Sequence, residues 1–395
     1  MSEAFLAALF SSVLLYAACV ISLKRHRRGI REDPPLGWTP GVSIIKPLAG
    51  LDARLEENLE SFFRLDYPSY EIIFSFASST DPAFAVARRV ADRHPAIPSV
   101  FVVDGREPGR NSKVNRLVSG LRVARNRLYL FSDGDVRAAG DFLSRAVSAF
   151  SDPTVGLVSH LFCGSGTTSL GSRLEALYLE GVLGPGTVGI TRILRKPCVV
   201  GKAILVSRRA LNAIGGMTPL RDHLAEDFLL GRLVAGAGYR VVLSENEIQT
   251  ELGSKSLRSV WDRHRRWAIM RRRLGGFSYG AEALASPVTF AAGAVIAARG
   301  SPAVSAAALI LWLVRIGLEV AGWRRGTRAP KATDLLLLPL RDLAVAALFW
   351  AGLTGSETRW RGRAMRIGAD TLIGLGERHR GVRGTNPNRI RERAA

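Results

Sequence analysis

Ala4 to Leu23 is an apolar stretch of about 20 residues without a single charged side chain, and Lys24-Arg25-His26-Arg27-Arg28 follows it directly. A helix of about 20 apolar residues matches the hydrocarbon thickness of a bilayer, so this stretch limits what the chain can fold into more than any other. A cleaved signal peptide carries its positive charge before the apolar run. Here Met1-Ser2-Glu3 is acidic and the cations come after. The segment reads as a retained anchor over residues 1–28, with the following chain on the cytoplasmic side by the positive-inside rule. A buried core helix is the alternative.

Three further apolar runs appear late, at 287–298, 303–323 and 332–355. Arg315 and Glu319 interrupt the second, and Arg341-Asp342 the third. Ionisable residues at such depth face protein or water, or mark a segment that does not cross. Arg324-Arg325-Gly326-Thr327-Arg328 separates the last two runs, and the chain after Gly355 holds ten arginines against four acidic residues. Both charge clusters favour the cytoplasm, which requires an even number of crossings after the central region. The expected solution is a hairpin of 287–298 and 303–323, with 332–355 re-entrant or interfacial. This divides the chain into an anchor (1–28), a central domain (40–283), a membrane region (284–358) and an Arg-rich cytoplasmic tail (359–395).

The formal charge of +21 is almost all arginine, since only seven of the 55 basic residues are lysine. Such a charge suits nucleic acid or an anionic membrane. The arginines concentrate beside apolar runs and no nucleic-acid-binding motif is present, so anionic membrane lipids are the expected partner and nucleic acid is not. Cys19, Cys163 and Cys198 are odd in number and widely spaced, which supports reduced thiols and neither a disulfide framework nor a metal cluster.

Between residues 40 and 283 short β-rich runs alternate with helical periodicity. Strands are expected at 42–46, 71–76, 100–103 and 128–132, and helices at 53–64, 82–93 and 114–124. The alternation implies an α/β, mainly parallel sheet covered on both faces. Ligands of such sheets bind beyond the carboxyl ends of the strands. Asp133 and Asp135, in Ser132-Asp133-Gly134-Asp135-Val136, and Asp81, in Thr80-Asp81-Pro82, lie at such ends.

Carboxylates at i and i+2 near a strand end have Cα atoms on one side, ~6.6 Å apart. Two hard oxygen ligands so placed can hold Mg²⁺ or Mn²⁺ and leave positions open for phosphate oxygens; a solvated Asp-Gly-Asp turn explains the same letters. Gly134 permits close approach by a ligand or a backbone. Asn111 or Ser112 can cap a helix beginning near Val114, where free N–H groups and Lys113 favour an anion. Glu226 and Asp227 open a helical run; they either complement its dipole or supply a general base for an attacking hydroxyl. In Trp261–Arg273, Arg263, Arg266 and Trp267 share one helical face, suited to diphosphate, a sugar face or anionic lipid.

The order of these features resembles glycosyltransferase family 21, the ceramide glucosyltransferases. The resemblance runs from Val42 to the last apolar segment and includes VSIIKPLAGLDARLEENLESFFRLDYPSYEI (42–72), TDPA (80–83), SKVNRL (112–117), SDGDV, VGLV (155–158), GKAILVSRRAL (201–211), AEDF and RHRRW (263–267). It implies a GT-A domain, the Rossmann-like fold of nucleotide-diphospho-sugar transferases, with N- and C-terminal transmembrane segments. It also implies an inverting hexosyltransferase that uses a UDP-sugar donor and a lipid acceptor. By resemblance Asp81 lies near the nucleotide, Asp133 and Asp135 form the D-x-D-like site for diphosphate and a divalent metal, and Asp227 is the base, with Glu226 second to it. Arg263, Arg266 and Trp267 match the family's Q/R-x-x-R-W motif. The chain departs from the animal enzymes at Gly184-Pro185, where they carry His-Pro, and at Asp135, where they carry a non-acidic residue. Bacterial relatives use hopanoids or diacylglycerol, so those acceptors stand beside ceramide. A processive, polymer-exporting synthase would need more apolar segments than this chain has.

Overall fold

The computed structural model of the protein describes residues 1–28, 38–323, 330–360 and 363–375. The Arg324–Arg328 linker and the tail beyond 375 lie outside the described residues. After helix α1 (Ser2–Arg27), the expected alternation is present: β1 (Val42–Pro47), α2 (Leu55–Phe63), β2 (Tyr70–Phe76), α3 (Pro82–Asp92), β3 (Ser99–Val103), α4 (Ser112–Leu121) and β4 (Leu128–Ser132). Then follow β5 (Val136–Arg137), α5 (Phe142–Ser148), β6 (Val155–Ser165), α6 (Leu170–Tyr178), α7 (Gly184–Val188), β7 (Ala203–Ser207), α8 (Arg208–Ala213), α9 (Glu226–Gly236), β8 (Arg240–Glu251) and α10 (Leu257–Gly275). Two π-helical turns, Leu179–Leu183 and Gly189–Ile193, flank α7.

The strands form one sheet in the order β3-β2-β1-β4-β7-β6-β8-β5. Its first four strands are parallel, β7 runs antiparallel to both neighbours, and β6 and β8 are parallel again. Successive residues of a strand point to opposite faces. Ile44, Ile72 and Phe74 therefore pack with Leu59, Phe62 and Val90 of α2 and α3, while Ile45, Ile73 and Phe131 pack with Val114 and Leu117 of α4 and Leu229 and Leu230 of α9. Burial on both faces explains why these strands read as continuous apolar runs instead of alternating ones.

Beyond α10 lie α11 (Pro287–Ala297), α12 (Pro302–Gly322) and α13 (Leu338–Thr354), the last preceded by a 3₁₀ turn at Ala332–Leu337. Among the described residues three helices are long and apolar enough to cross a membrane: Ser2–Arg27, Pro302–Gly322 and Ala332–Thr354. Helix α11 spans only about 16 Å by its rise per residue and continues, after a 70° bend, the stretch that ends at Ala285. α1, α11 and α12 pack together, with Arg27 donating to the Gly322 carbonyl at 2.6 Å and the Phe5 ring lying against Gly293. α13 lies along α10: Arg272 donates to the Gly355 carbonyl at 2.8 Å and the Tyr279 hydroxyl to that of Phe349 at 3.1 Å.

The charges that interrupt these apolar runs face one another. Glu319 accepts from Arg315 at 2.9 Å and from Arg341 at 2.7 Å, and Arg341 also meets Asp342 at 2.9 Å. All four are buried. A desolvated charge is tolerable only when paired and hydrogen-bonded, and this network joins α12 to α13.

One expectation needs correction. The reading of 359–395 as an Arg-rich tail does not hold for its first part. Residues β9 (Glu357–Trp360), β10 (Arg363–Ile367) and β11 (Ile373–Leu375) form a second, antiparallel sheet. Met365, Ile367 and Ile373 pack on Leu224 and Ile269, and Ile373 N–H donates to the Asp222 carbonyl at 2.8 Å. The alternation of buried Thr358, Met365 and Ile367 with arginine spreads the apolar signal over very short strands, so net charge dominates the sequence.

Candidate active site

Asp133-Gly134-Asp135 is the link by which the chain leaves the parallel half of the sheet at β4 and crosses to β5, which pairs with β8. Gly134 is required by close approach: a Cβ there would lie 2.7 Å from the Asp52 carboxylate and 3.0 Å from Leu48. The turn is thus wedged beneath the loop after β1, which argues against a freely solvated Asp-Gly-Asp turn.

Asn111 caps α4, its Oδ1 accepting from Lys113 N–H at 3.0 Å and Val114 N–H at 3.2 Å, while its amide donates to Glu226 at 3.2 Å. This cap aims Lys113 at the crevice. The Lys113 ammonium contacts Asp133 at 2.8 Å, Glu226 at 3.0 Å and the Gly201 carbonyl at 3.2 Å. Lys202, on the loop entering β7, contacts the two Asp135 oxygens at 2.7 and 2.6 Å and Asp133 at 3.3 Å. Fully buried Lys46 donates to Ser132 Oγ and the Asp133 carbonyl and lies over the Phe62 ring. Burial pushes its ammonium down to about 7, against the pull of Asp133 and Asp135.

The result is an alternating row of charge, Glu226–Lys113–Asp133–Lys202–Asp135. Burial works against the Asp133 carboxylate, but Lys113 and Lys202 outweigh it and hold the group at about 2. Burial likewise opposes the Lys202 ammonium, and Asp135 with Asp133 keeps it above its ordinary range. Asp227 behaves in the opposite way. Burial and then the adjacent Glu226 carboxylate push it up to about 7, with Lys113 pulling the other way and Asp133 adding repulsion. Its Oδ1 accepts from Phe228 N–H at 2.8 Å, and a Cβ on Gly201 would come within 2.5 Å of its Oδ2. Gly201 and Lys202 therefore bring Asp133, Asp135 and Asp227, which come from two distant parts of the chain, to one crevice.

Of the remaining expected residues, Arg263 reaches the site's edge through Glu175, at 3.1 Å, which also holds Lys255 at 2.8 Å. Arg266 turns to the second sheet and donates to the Arg359 carbonyl at 3.3 Å. Trp267 packs edge-on to His264. Asp81 caps α3, and its oxygens accept from Ala83 N–H and Gly50 N–H; it secures the loop after β1 and makes no direct contact with Asp133. Lys202, Lys255, Glu175 and Lys46 were not among the expected site residues. Lysine scarcity was the available signal: of seven lysines in an arginine-rich chain, these three and Lys113 line the site. A compact ammonium fits between two carboxylates where a planar guanidinium does not.

Among the described residues no cluster of three or more His, Cys, Asp or Glu is placed to hold a metal ion. The two aspartates nevertheless suit Mg²⁺ or Mn²⁺, which keep several positions for water and phosphate. The Lys202 ammonium against both carboxylates shows that they converge on one cationic point.

A sheet of this order, with an acidic pair at the end of β4 and a carboxylate at the start of α9, defines a GT-A glycosyltransferase fold. The mannosyltransferase PcManGT of Pyrobaculum calidifontis, solved with GDP-Man and Mn²⁺, shares it at a TM-score of 0.53 and 22% identity, over 89% of this chain and 98% of that one. More particularly, the chain belongs to glycosyl transferase family 21, whose model matches residues 5–373. Ceramide glucosyltransferases 1 and 3 of Caenorhabditis elegans are each 30% identical, over 67% and 65% of this chain. The ceramide glucosyltransferase of Komagataella phaffii is 28% identical over 51%. The chain matches 56% of the length of each nematode protein.

Proposed function

We propose that this protein transfers a hexose, glucose in the leading reading, from a UDP-sugar to a lipid hydroxyl with inversion, and that ceramide is the first acceptor to test. The observation that carries the reading is Lys113, which touches both Asp133 of the D-x-D pair and Glu226, the residue next to Asp227. One crevice then holds both a grip for diphosphate and a poised base. Asp227, with an affinity for protons near neutral, takes the proton of the acceptor hydroxyl as its oxygen attacks the anomeric carbon. The bond from that carbon to the diphosphate oxygen breaks on the opposite face. Lys113 and Arg263 provide preorganised positive charge for the leaving UDP. Asp133 and Asp135 would hold Mg²⁺ or Mn²⁺, which supplies Lewis-acid neutralisation of the diphosphate when bound.

The helices Ser2–Arg27, Pro302–Gly322 and Ala332–Thr354, long and apolar enough to cross a bilayer, support a lipid acceptor. The Lys24–Arg28 flank supports a cytoplasmic catalytic domain on an anionic leaflet. Membranes containing the protein should be incubated with UDP-glucose, UDP-galactose or UDP-N-acetylglucosamine and with ceramide, diacylglycerol or bacteriohopanetetrol, and the glycolipids identified by mass spectrometry. Hexosylceramide formed by wild type and lost in Asp227→Asn is the expected result. A product on diacylglycerol or hopanoid alone would reassign the acceptor, and no glycolipid from any pair would refute the proposal.

A further inference from the structure

Lys202 occupies the point on which the two D-x-D carboxylates converge, and its surroundings say what must happen when another cation arrives. Its main chain is pinned: the Lys202 carbonyl accepts from Asp133 N–H at 3.3 Å, and the next residue, Ala203, pairs with Ser132. Only the side chain is free to swing. Its ammonium has the two aspartates as partners, whereas Lys113 has Asp133, Glu226 and the Gly201 carbonyl and keeps two of them if Asp133 is recruited elsewhere.

The Lys202 ammonium already takes both Asp135 oxygens and Asp133 Oδ2, while Asp133 Oδ1 is held by Lys113, so a divalent ion competes with it for those three oxygens, and like charges so close repel strongly in a partly buried site. A divalent ion must therefore displace Lys202. Arg263 and Lys255 act on Lys202 as neighbouring cations, and Glu175 is already shared between those two. A diphosphate supplies the anion that this end of the crevice lacks.

We infer that Lys202 is an internal counter-ion that makes divalent-metal binding conditional on the donor, leaving the aspartates for the UDP diphosphate when both arrive. This rests on the donor-site reading above. It makes Lys202 a positioning residue for the metal–diphosphate pair, and the chain without donor a poor metal binder.

The test uses the full chain in lipid nanodiscs, with Mn²⁺ binding followed by loss of the free aquo-Mn²⁺ EPR signal. Wild type without UDP should bind weakly, while Lys202→Met and Lys202→Gln, each lacking the competing charge, should bind at least about tenfold more tightly, the factor that ~1.4 kcal/mol represents. Equal affinity in wild type and both variants would overturn the inference. The Gln variant keeps a donor toward Asp135 in case the Met variant fails to fold. If neither folds, wild type decides alone: Mn²⁺ affinity at least about tenfold higher at saturating UDP than without it supports the inference, and equal affinities overturn it. Equilibrium dialysis with radiolabelled UDP at saturating Mn²⁺ separates the two claims. Absence of UDP binding refutes the donor site itself, whereas UDP binding with no gain in the variants refutes only the role of Lys202.

Discussion

Asp227→Asn should make the protein more stable and nearly inactive at the same time, a combination that a purely structural carboxylate would not give. Asp227 ionises at about 7 in the fold against 3.8 for an unperturbed carboxyl, which corresponds to roughly 4 kcal/mol of differential interaction. The side chain keeps part of its surface, so solvent screening reduces this to about 2 kcal/mol. The sign follows from the raised value. Folding favours the protonated acid, so stability is fully present below the unfolded pKa and is lost as pH rises through about 7. Asparagine keeps the acceptor for Phe228 N–H and carries no charge, so the variant should unfold a few degrees above wild type at pH 8 and show roughly a third of that gain at pH 5. Turnover should fall by about 10²–10⁴, the usual loss on removing a general base. The wild-type kcat/KM should rise with pH through a limb near 7, and the residual activity of the variant should lack it. Thermal unfolding in nanodiscs at pH 5 and 8, paired with transfer from radiolabelled UDP-glucose, measures both. A variant with near-normal turnover, or one less stable than wild type at pH 8, would refute the reasoning.

Four other outcomes are expected. Gly201→Ala places a methyl 2.5 Å from the Asp227 carboxylate, and a displacement near 1 Å should cost about 10²-fold in turnover, read as kcat with UDP binding retained. Glu175→Gln leaves Lys255 and Arg263 facing each other without their shared anion; thermal unfolding should show a loss of about 3–5 kcal/mol and UDP binding should weaken. Glu319→Gln breaks the buried network of Arg315 and Arg341 and should destabilise the membrane region by a similar ~3–5 kcal/mol, seen as increased proteolysis between 330 and 356. Treatment with EDTA should suppress transfer, and Mn²⁺ should restore it; unchanged activity in chelator would remove the metal from the mechanism.

Local pattern carried much of the fold. Leu128–Ser132 is legible as a strand because a sheet covered on both faces demands an uninterrupted apolar run, and α1 is legible because a bilayer demands about 20 apolar residues. The acidic pair after β4 is legible as a candidate site because chain direction places strand ends at the mouth of a parallel sheet. These properties depend on neighbours in sequence, so the sequence alone determines them. Tertiary structure decided which charges meet. Lys202 lies 67 residues from Asp135, Arg341 lies 22 from Glu319, and β11 docks on Asp222 from a region that reads as a charged tail. No periodicity encodes such pairs, because the free energy of bringing two charges together depends on the desolvation that only the finished fold imposes. The same reason explains Asp227: its letter is that of any acid opening a helix, and its readiness to accept a proton comes from burial beside Glu226, which the folded chain alone creates.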